Sequence, residues 1–192
     1  MPPLILASSS PYRRALLERL GVSFTCHSPD IDETPLPDET GEAMALRLAQ
    51  QKAAAVAASC QSGLVVGSDQ VCVNGGQLLG KPGTVENARR QLLAASGKTV
   101  TFYTGLCVHD IATGRSASLV EPFRVHFRPL TAAQIDSYLE KEPALDCAGA
   151  FKCEGLGISL FTRMEGRDPN SLVGLPLIAL VELLAEFGVE VP

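Results

Sequence analysis

The sequence lacks the features of several common classes of protein. No apolar run approaches the roughly 20 residues that cross a bilayer, and the N-terminus has no basic segment followed by an apolar one, as secretory signals do. Acidic residues outnumber basic ones, with 21 Asp and Glu against 16 Lys and Arg. General nucleic-acid binders usually carry a basic surface. We therefore expect a cytoplasmic protein that binds neither membranes nor nucleic acid.

Several motifs of enzymes and metal proteins are also missing. There is no Gly-x-x-x-x-Gly-Lys-Ser/Thr phosphate loop, no Gly-x-Gly-x-x-Gly after a strand and no Gly-x-Ser-x-Gly elbow. The 6 cysteines form no Cys-x-x-Cys pair and no zinc-like cluster with histidine. Because the chain is long and apolar enough to form a core without crosslinks, we expect reduced, partly buried thiols.

Helical and extended patterns alternate along the chain, which predicts the α/β class. Strands are expected at 4–7, 22–27, 64–67 and 157–164, hairpins over 71–79 and 98–127, and helices over 11–20, 41–58, 84–96, 131–141 and 176–187. Asn74-Gly75-Gly76 is a typical hairpin turn. No repeat or long linker interrupts these patterns. We therefore expect one domain over residues 1–192, folded around a cleft.

Residues 8–14, Ser-Ser-Ser-Pro-Tyr-Arg-Arg, join the first strand to the first helix. Ser10 suits the N-cap position and Pro11 the first helical position. Free N–H groups and the positive end of the helix dipole favour an anion there. This segment predicts a phosphate site. The alternative is an ordinary capped helix with solvated arginines.

Two acidic positions are candidates for catalysis or metal binding. Asp69 follows the apolar strand 64–67, and α/β folds commonly place reactive groups at strand ends. It could hold a metal ion, orient a water or accept its proton, or it could cap a turn. Glu33 lies in a loop with Asp30 and Asp32, where hard oxygen ligands suit Mg²⁺ or Mn²⁺. The alternative for that loop is simple solvation.

Basic residues occur at loops and element ends as well as inside one helix. Lys52 lies in the alanine-rich helix, Lys81 in the turn Gly-Lys-Pro-Gly, and Lys152 in a loop flanked by glycines. Together with Arg13 and Arg14 they could offset the about four negative charges of a nucleoside triphosphate. These five cations would still leave a place for a divalent metal held by Glu33 and Asp69.

Several short motifs occur in the order and spacing of one known family: Ser8-x-Ser10-Pro11-x-Arg13-Arg14, Asp32-Glu33, Lys52, Gly67-Ser68-Asp69, Gly80-Lys81-Pro82, Tyr103-Thr104-Gly105 and Gly174-Leu175-Pro176. The chain resembles the Maf family of nucleotide pyrophosphatases over essentially its whole length. The resemblance implies a fold related to the inosine-triphosphate pyrophosphatases: an elongated mixed sheet with flanking helices and two lobes around a deep cleft.

The resemblance also implies hydrolysis of a nucleoside triphosphate to the monophosphate and pyrophosphate with Mg²⁺ or Mn²⁺. The catalytic base of the family maps onto Asp69, which shares the metal with Glu33. The phosphate-binding residues map onto Ser8, Arg13, Lys52 and Lys81. The expected partner is thus a small nucleotide. Related proteins often form homodimers.

Three further positions bear on the choice of base. Members acting on thymidine and uridine triphosphates carry arginine, threonine and glutamine where this chain has Tyr12, Gln70 and Glu154. The combination here looks like the branch that acts on 7-methyl-GTP. A tyrosine ring could stack on the cationic methylated base, and a carboxylate could accept from the guanine N1–H and N2–H₂. The alternatives are a dTTP, UTP or broad-range pyrophosphatase, and a nucleotide-binding regulator of septum formation.

Overall fold

The structure is a computed structural model that describes residues 1–192. It contains 7 strands in one mixed sheet, with helices around it. The strands are β1 Leu4–Ala7, β2 Phe24–Cys26, β3 Leu64–Asn74, β4 Gln77–Leu79, β5 Thr99–Asp110, β6 Ser116–Phe127 and β7 Phe161–Glu165. The helices are α1 Pro11–Glu18, α2 Gly41–Ala57, α3 Val85–Ala95, α4 Ala132–Lys141, α5 Pro169–Val173 and α6 Leu177–Glu186, with a 3₁₀ helix at Leu156–Leu160.

The sheet has the strand order β2-β1-β3-β5-β6-β7, and β4 pairs with β3 outside this path. Strand β1 lies parallel to β2 and β3, with Leu4 opposite Leu64 and Ala7 opposite Gly67. The β3–β4 and β6–β7 pairs are antiparallel. The predicted α/β class and mixed sheet with flanking helices are therefore confirmed. No helix is both long and apolar enough to cross a membrane.

The chain forms two compact units, each discontinuous in sequence. The first consists of Met1–Gln70, Thr104–Glu121 and Asp168–Pro192, and the second of Val71–Tyr103 and Pro122–Arg167. Strands β3, β5 and β6 each contribute residues to both units. The single domain over 1–192 and the cleft stay predictions.

In the first unit, both faces of the sheet are covered by apolar side chains. Alternate residues of a strand point to opposite faces, so Leu4 and Leu6 pack with the leucines of α1 and α6, while Ile5 and Ala7 pack with α2. Burial on both faces explains why β1 is apolar without alternation.

Helix α2 lies unusually close to the sheet. Its residues Ala45, Ala49 and Ala53, spaced four apart, are fully buried. A Cβ atom added to Gly67 would overlap the Ala49 carbonyl oxygen and lie 2.9 Å from Ala53 Cβ. A Cβ atom on Gly105 would overlap the Ala45 carbonyl in the same way. Two glycines in the sheet and an alanine face on the helix thus bring the backbones together.

The second unit has a core of aromatic rings. Phe151 packs edge-to-face against Phe102, Phe127 and Phe161, with ring centroids 5.5, 5.6 and 4.9 Å away. Such pairs add about 0.5–1.5 kcal/mol each beyond area burial. Of the cysteines, Cys72 in β3 and Cys107 in β5 are buried, and burial raises the pKa of the Cys107 thiol to about 11.

The structure corrects two expectations from the sequence and adds one helix. Strand β3 continues to Asn74, so Asp69 lies inside a strand and not after its end. The strand expected over 157–164 begins as a 3₁₀ helix, because Glu142 accepts the Leu156 and Gly157 N–H groups and holds a turn there. Helix α5 was not predicted; Asp168 caps it and Pro169 is its first residue.

Candidate active site

Three of the predicted site residues meet in one ion-paired group in the first unit. The Lys52 Nζ atom donates to Asp69 Oδ1 at 2.7 Å and lies 2.5 Å from Glu33 Oε1. Lys52 follows Ala45 and Ala49 on the sheet-facing side of α2, at the helical spacing that places it over β3. The lysine therefore joins a strand carboxylate to a loop carboxylate.

Asp69 is only 8% exposed, although it carries a charge. Burial disfavours the ionised form and raises its pKa, and the positive charges of Lys52 and Arg13 partly oppose this. A carboxylate with a raised pKa is a stronger base than an ordinary one at the surface. The surroundings of Asp69 thus suit a group that accepts a proton.

Arg13 is held at the start of α1 by its backbone and its side chain. Its N–H donates to the Ser10 hydroxyl at 3.3 Å, which confirms the predicted N-cap. Its Nε donates to the Gly174 carbonyl at 2.8 Å, and that carbonyl also accepts the Ser68 hydroxyl at 3.0 Å. Burial lowers the pKa of Arg13, while the negative charges of Asp69 and Glu33 raise it. Guanidiniums remain charged in proteins, so Arg13 contributes a fixed positive charge here.

Ser8 lies directly after β1 and is buried, at 6% exposure. Its hydroxyl accepts the Ser10 N–H at 3.0 Å. The turn into α1 is thus built from two hydroxyl contacts, and the helix begins beside it. The anion site at residues 8–14 stays a prediction, for which this turn supplies the start of a helix and two hydroxyl groups.

Of the predicted base-selecting residues, Tyr12 and Gln70 belong to the first unit. Tyr12 is half-buried in the first turn of α1. Gln70 is half-buried, and its Nε2 donates to the carbonyl oxygens of Ser171 and Leu172, at 2.9 Å each. The amide nitrogen of Gln70 is therefore occupied by the backbone of α5, and its oxygen is the atom left to accept a hydrogen bond.

Lys81 and Glu154 belong to the second unit. Lys81 is exposed in the turn between β4 and α3, where the Gly83 N–H donates to the Leu145 carbonyl at 3.0 Å. Glu154 is exposed in the turn before the 3₁₀ helix, and the Cys153 thiol donates to it at 3.4 Å. Both side chains are available to an incoming molecule.

The structure also assigns contacts to residues that the sequence did not single out. Asp168 is fully buried, and its carboxylate accepts from Asn170 N at 2.8 Å and Ile178 N at 2.9 Å. It shapes the segment that presents the Gly174 carbonyl to Arg13. Arg47 on α2 binds Glu39 and the Thr34 carbonyl of the loop that carries Glu33. The sequence motif Gly174-Leu175-Pro176 had indicated the segment that Asp168 shapes. Nothing in the sequence pattern indicated Arg47.

The carboxylates of Glu33 and Asp69 have the donor chemistry that a divalent metal requires. Both contact the same Lys52 ammonium, Glu33 Oε1 at 2.5 Å and Asp69 Oδ1 at 2.7 Å, so the two carboxylates are neighbours. Mg²⁺ typically takes one or two carboxylates and completes its shell with water and substrate phosphates. A pair of adjacent carboxylates with one member half-exposed fits that requirement.

The sequence model of the Maf-like protein family matches residues 3–187. Solved structures with a similar arrangement include a nucleoside-triphosphatase / dITP/XTP pyrophosphatase from Mycobacterium abscessus, at 16% identity over 67% of this chain and 75% of that one, with a TM-score of 0.43. The Ham1 protein of Staphylococcus aureus is similar at 14% identity over 65% and 71%, with a TM-score of 0.47. The family match spans almost the whole sequence, and the chain belongs to the Maf-like protein family.

Proposed function

We propose that this protein hydrolyses 7-methyl-GTP to 7-methyl-GMP and pyrophosphate and so removes a modified nucleotide. The observation that carries the reaction is the contact of Lys52 with Asp69 and Glu33 in a chain of this family. A buried carboxylate, a buried ammonium and a half-exposed second carboxylate are the parts that water activation beside a polyphosphate needs.

In the proposed reaction Asp69 accepts a proton from a water molecule. The water oxygen attacks the α-phosphorus, the bond from that phosphorus to the bridging oxygen breaks, and pyrophosphate leaves with the electron pair. Lys52 keeps Asp69 ionised and in place, since its ammonium is 2.7 Å from Oδ1. Arg13 and Lys81 supply positive charge for the phosphates, and Ser8 with the start of α1 binds phosphate oxygens. A divalent cation held by Glu33 and Asp69 would neutralise phosphate charge.

We assign the selection of the nucleobase to Tyr12, Gln70 and Glu154. The half-buried Tyr12 ring can stack on the cationic 7-methylguanine, an interaction worth about 0.5–2 kcal/mol. The exposed Glu154 carboxylate offers two acceptors to the guanine N1–H and N2–H₂. Gln70 adds a third acceptor, because its nitrogen is bound to backbone carbonyls.

A panel of 7-methyl-GTP, GTP, dTTP and UTP, each with Mg²⁺ and with Mn²⁺, tests the substrate. We expect the highest kcat/KM for 7-methyl-GTP. A preference for dTTP or UTP would favour the alternative of a pyrimidine-nucleotide or broad-range enzyme. Tyr12→Leu should reduce the ratio of 7-methyl-GTP to GTP turnover by about 2- to 30-fold, as expected for the loss of one cation–π contact, while Tyr12→Phe should retain it.

The role of Asp69 as catalytic base is tested by Asp69→Asn, which keeps the side-chain shape and removes the proton acceptor. Turnover should fall by about 10²- to 10⁴-fold, with nucleotide binding retained in equilibrium dialysis. Full activity in this variant would disprove the assignment of the base. Absence of pyrophosphate release from every nucleotide would favour the nucleotide-binding regulator of septum formation.

A further inference from the structure

Besides the contact of Glu33 with Lys52, the loop that carries Glu33 is attached to helix α2 through Arg47. Residues 27–36 form no helix or strand. Arg47 donates from Nε to Glu39 Oε1 at 2.6 Å and from Nη2 to Glu39 Oε2 at 2.8 Å. The same Nη2 donates to the Thr34 carbonyl at 3.2 Å. Two parallel N–H···O bonds fix both the distance and the plane of such a pair.

The loop is also braced from within. Glu39 Oε2 accepts the Leu36 N–H at 3.0 Å, so the carboxylate held by Arg47 is itself tied to the loop backbone. Asp32 Oδ1 accepts the Thr34 N–H at 2.9 Å and the Thr34 hydroxyl at 2.5 Å. The residues on both sides of Glu33 are therefore restrained, one through Arg47 and the other through Thr34.

Glu33 itself depends on these restraints. Its side chain is 55% exposed, and its contact is with Lys52 Nζ. With its carboxylate exposed, this single ion pair contributes only about 1 kcal/mol, which is less than the about 1–2 kcal/mol that fixing each loop residue costs. The Glu39 side chain, in contrast, is only 7% exposed. The loop is thus held at Glu39 and Thr34, and Glu33 is placed as a consequence.

We infer that Arg47 is a positioning residue that fixes the Glu33 carboxylate at Lys52 and Asp69 by fastening the loop to α2. Arg47 and Lys52 belong to the same helix. Fastening the loop to Arg47 therefore fixes its position relative to Lys52, which the Glu33 carboxylate contacts. The inference rests on the proposed function, because Glu33 contributes to turnover only if the ion-paired group is the reaction centre. The Arg47 guanidinium also lowers the pKa of Glu39 to about 2, so the pair stays charged throughout the neutral range.

Hydrogen exchange of the protein without nucleotide or metal gives a readout that does not depend on activity. Arg47→Gln should accelerate exchange of the Thr34 and Leu36 amides with little change in the rest of the chain. Arg89→Gln is the control for loss of an arginine ion pair elsewhere, since Arg89 forms one 2.7 Å bond to Asp136 between half-exposed side chains. It should change neither these amides nor turnover.

A double-substitution cycle separates positioning from general stability. Arg47→Gln should lower kcat/KM by about 10- to 100-fold, the effect expected of a misplaced group. In a Glu33→Gln background the same change should have no further effect, because the carboxylate it positions is gone. Exchanging the charges, Arg47→Glu with Glu39→Arg, should recover part of the loss.

Two results would overturn the inference: unchanged exchange at Thr34 and Leu36 in Arg47→Gln, or losses from Arg47→Gln and Glu33→Gln that simply add. Failure of the proposed function would look different. In that case Asp69→Asn would retain turnover, whereas the exchange data would still report whether Arg47 holds the loop.

Discussion

A methyl group on Gly67 should push helix α2 away from strand β3. This glycine faces the backbone of α2, and an added Cβ would lie 2.8 Å from Ala53 N and 2.9 Å from Ala53 Cβ. Ordinary contacts between carbon atoms are about 3.5–4.0 Å. Because the obstacle is helix backbone and not the end of a flexible side chain, the whole helix must move by about 1 Å to relieve the overlap.

That displacement has a stability effect and a catalytic effect. Overpacking of this kind costs about 1–3 kcal/mol, which for a chain of this size lowers Tm by about 2–12 °C. The Lys52–Asp69 hydrogen bond, now 2.7 Å, would lengthen to about 3.7 Å, beyond the usual limit of about 3.2 Å. Misplacement by about 1 Å can reduce turnover about 100-fold.

Thermal melting by circular dichroism and initial rates with 7-methyl-GTP measure the two effects of Gly67→Ala. Gly80→Ala is the control for stability: it makes the same chemical change at a glycine with ordinary φ and no atom within 4 Å of the added Cβ. It should melt close to the wild type. If Gly67→Ala also melted and turned over like the wild type, the close seating of α2 on β3 would be refuted.

Three further predictions concern single side chains. Lys52 lowers the pKa of Asp69, so Lys52→Met should move the acid limb of the kcat/KM pH profile to higher pH; an unmoved limb would contradict this. Asp168→Ala leaves the partly buried N–H groups of Asn170 and Ile178 without their acceptor, and urea titration should show a loss of about 1–3 kcal/mol. Phe151→Ala removes the ring that contacts three others and should lower the free energy of unfolding by about 3–5 kcal/mol in the same titration. A loss below about 1 kcal/mol would argue against the aromatic cluster.

Local signals predicted the secondary structure well where caps and turns are chemically distinctive. Ser10, Thr84 and Thr131 each accept the N–H three residues later, and the Asn74-Gly75-Gly76 turn joins β3 to β4 as expected. These elements depend on neighbours in sequence. The sequence predicts a shorter β3 than the structure has, because polar residues follow the apolar start of this strand. Asp69 is tolerated inside it only because Lys52, distant in sequence, neutralises it.

The sequence by itself determined most strands and helices, several of their caps and the family motifs, since these depend on residues close together in the chain. It did not reveal helix α5 or the 3₁₀ helix before β7. It also supplied the candidate residues. Only the tertiary structure decided that Lys52 stands between Asp69 and Glu33, that the Gly174 carbonyl holds Arg13, and that Arg47 fastens the acidic loop. The Lys52 contacts depend on the glycines and alanines that let α2 lie against the sheet, whereas the Arg13 contact joins the first turn of α1 to the segment after α5. The alanine spacing of α2 is visible in the sequence, but the strands against which this face packs depend on the shape of the whole unit.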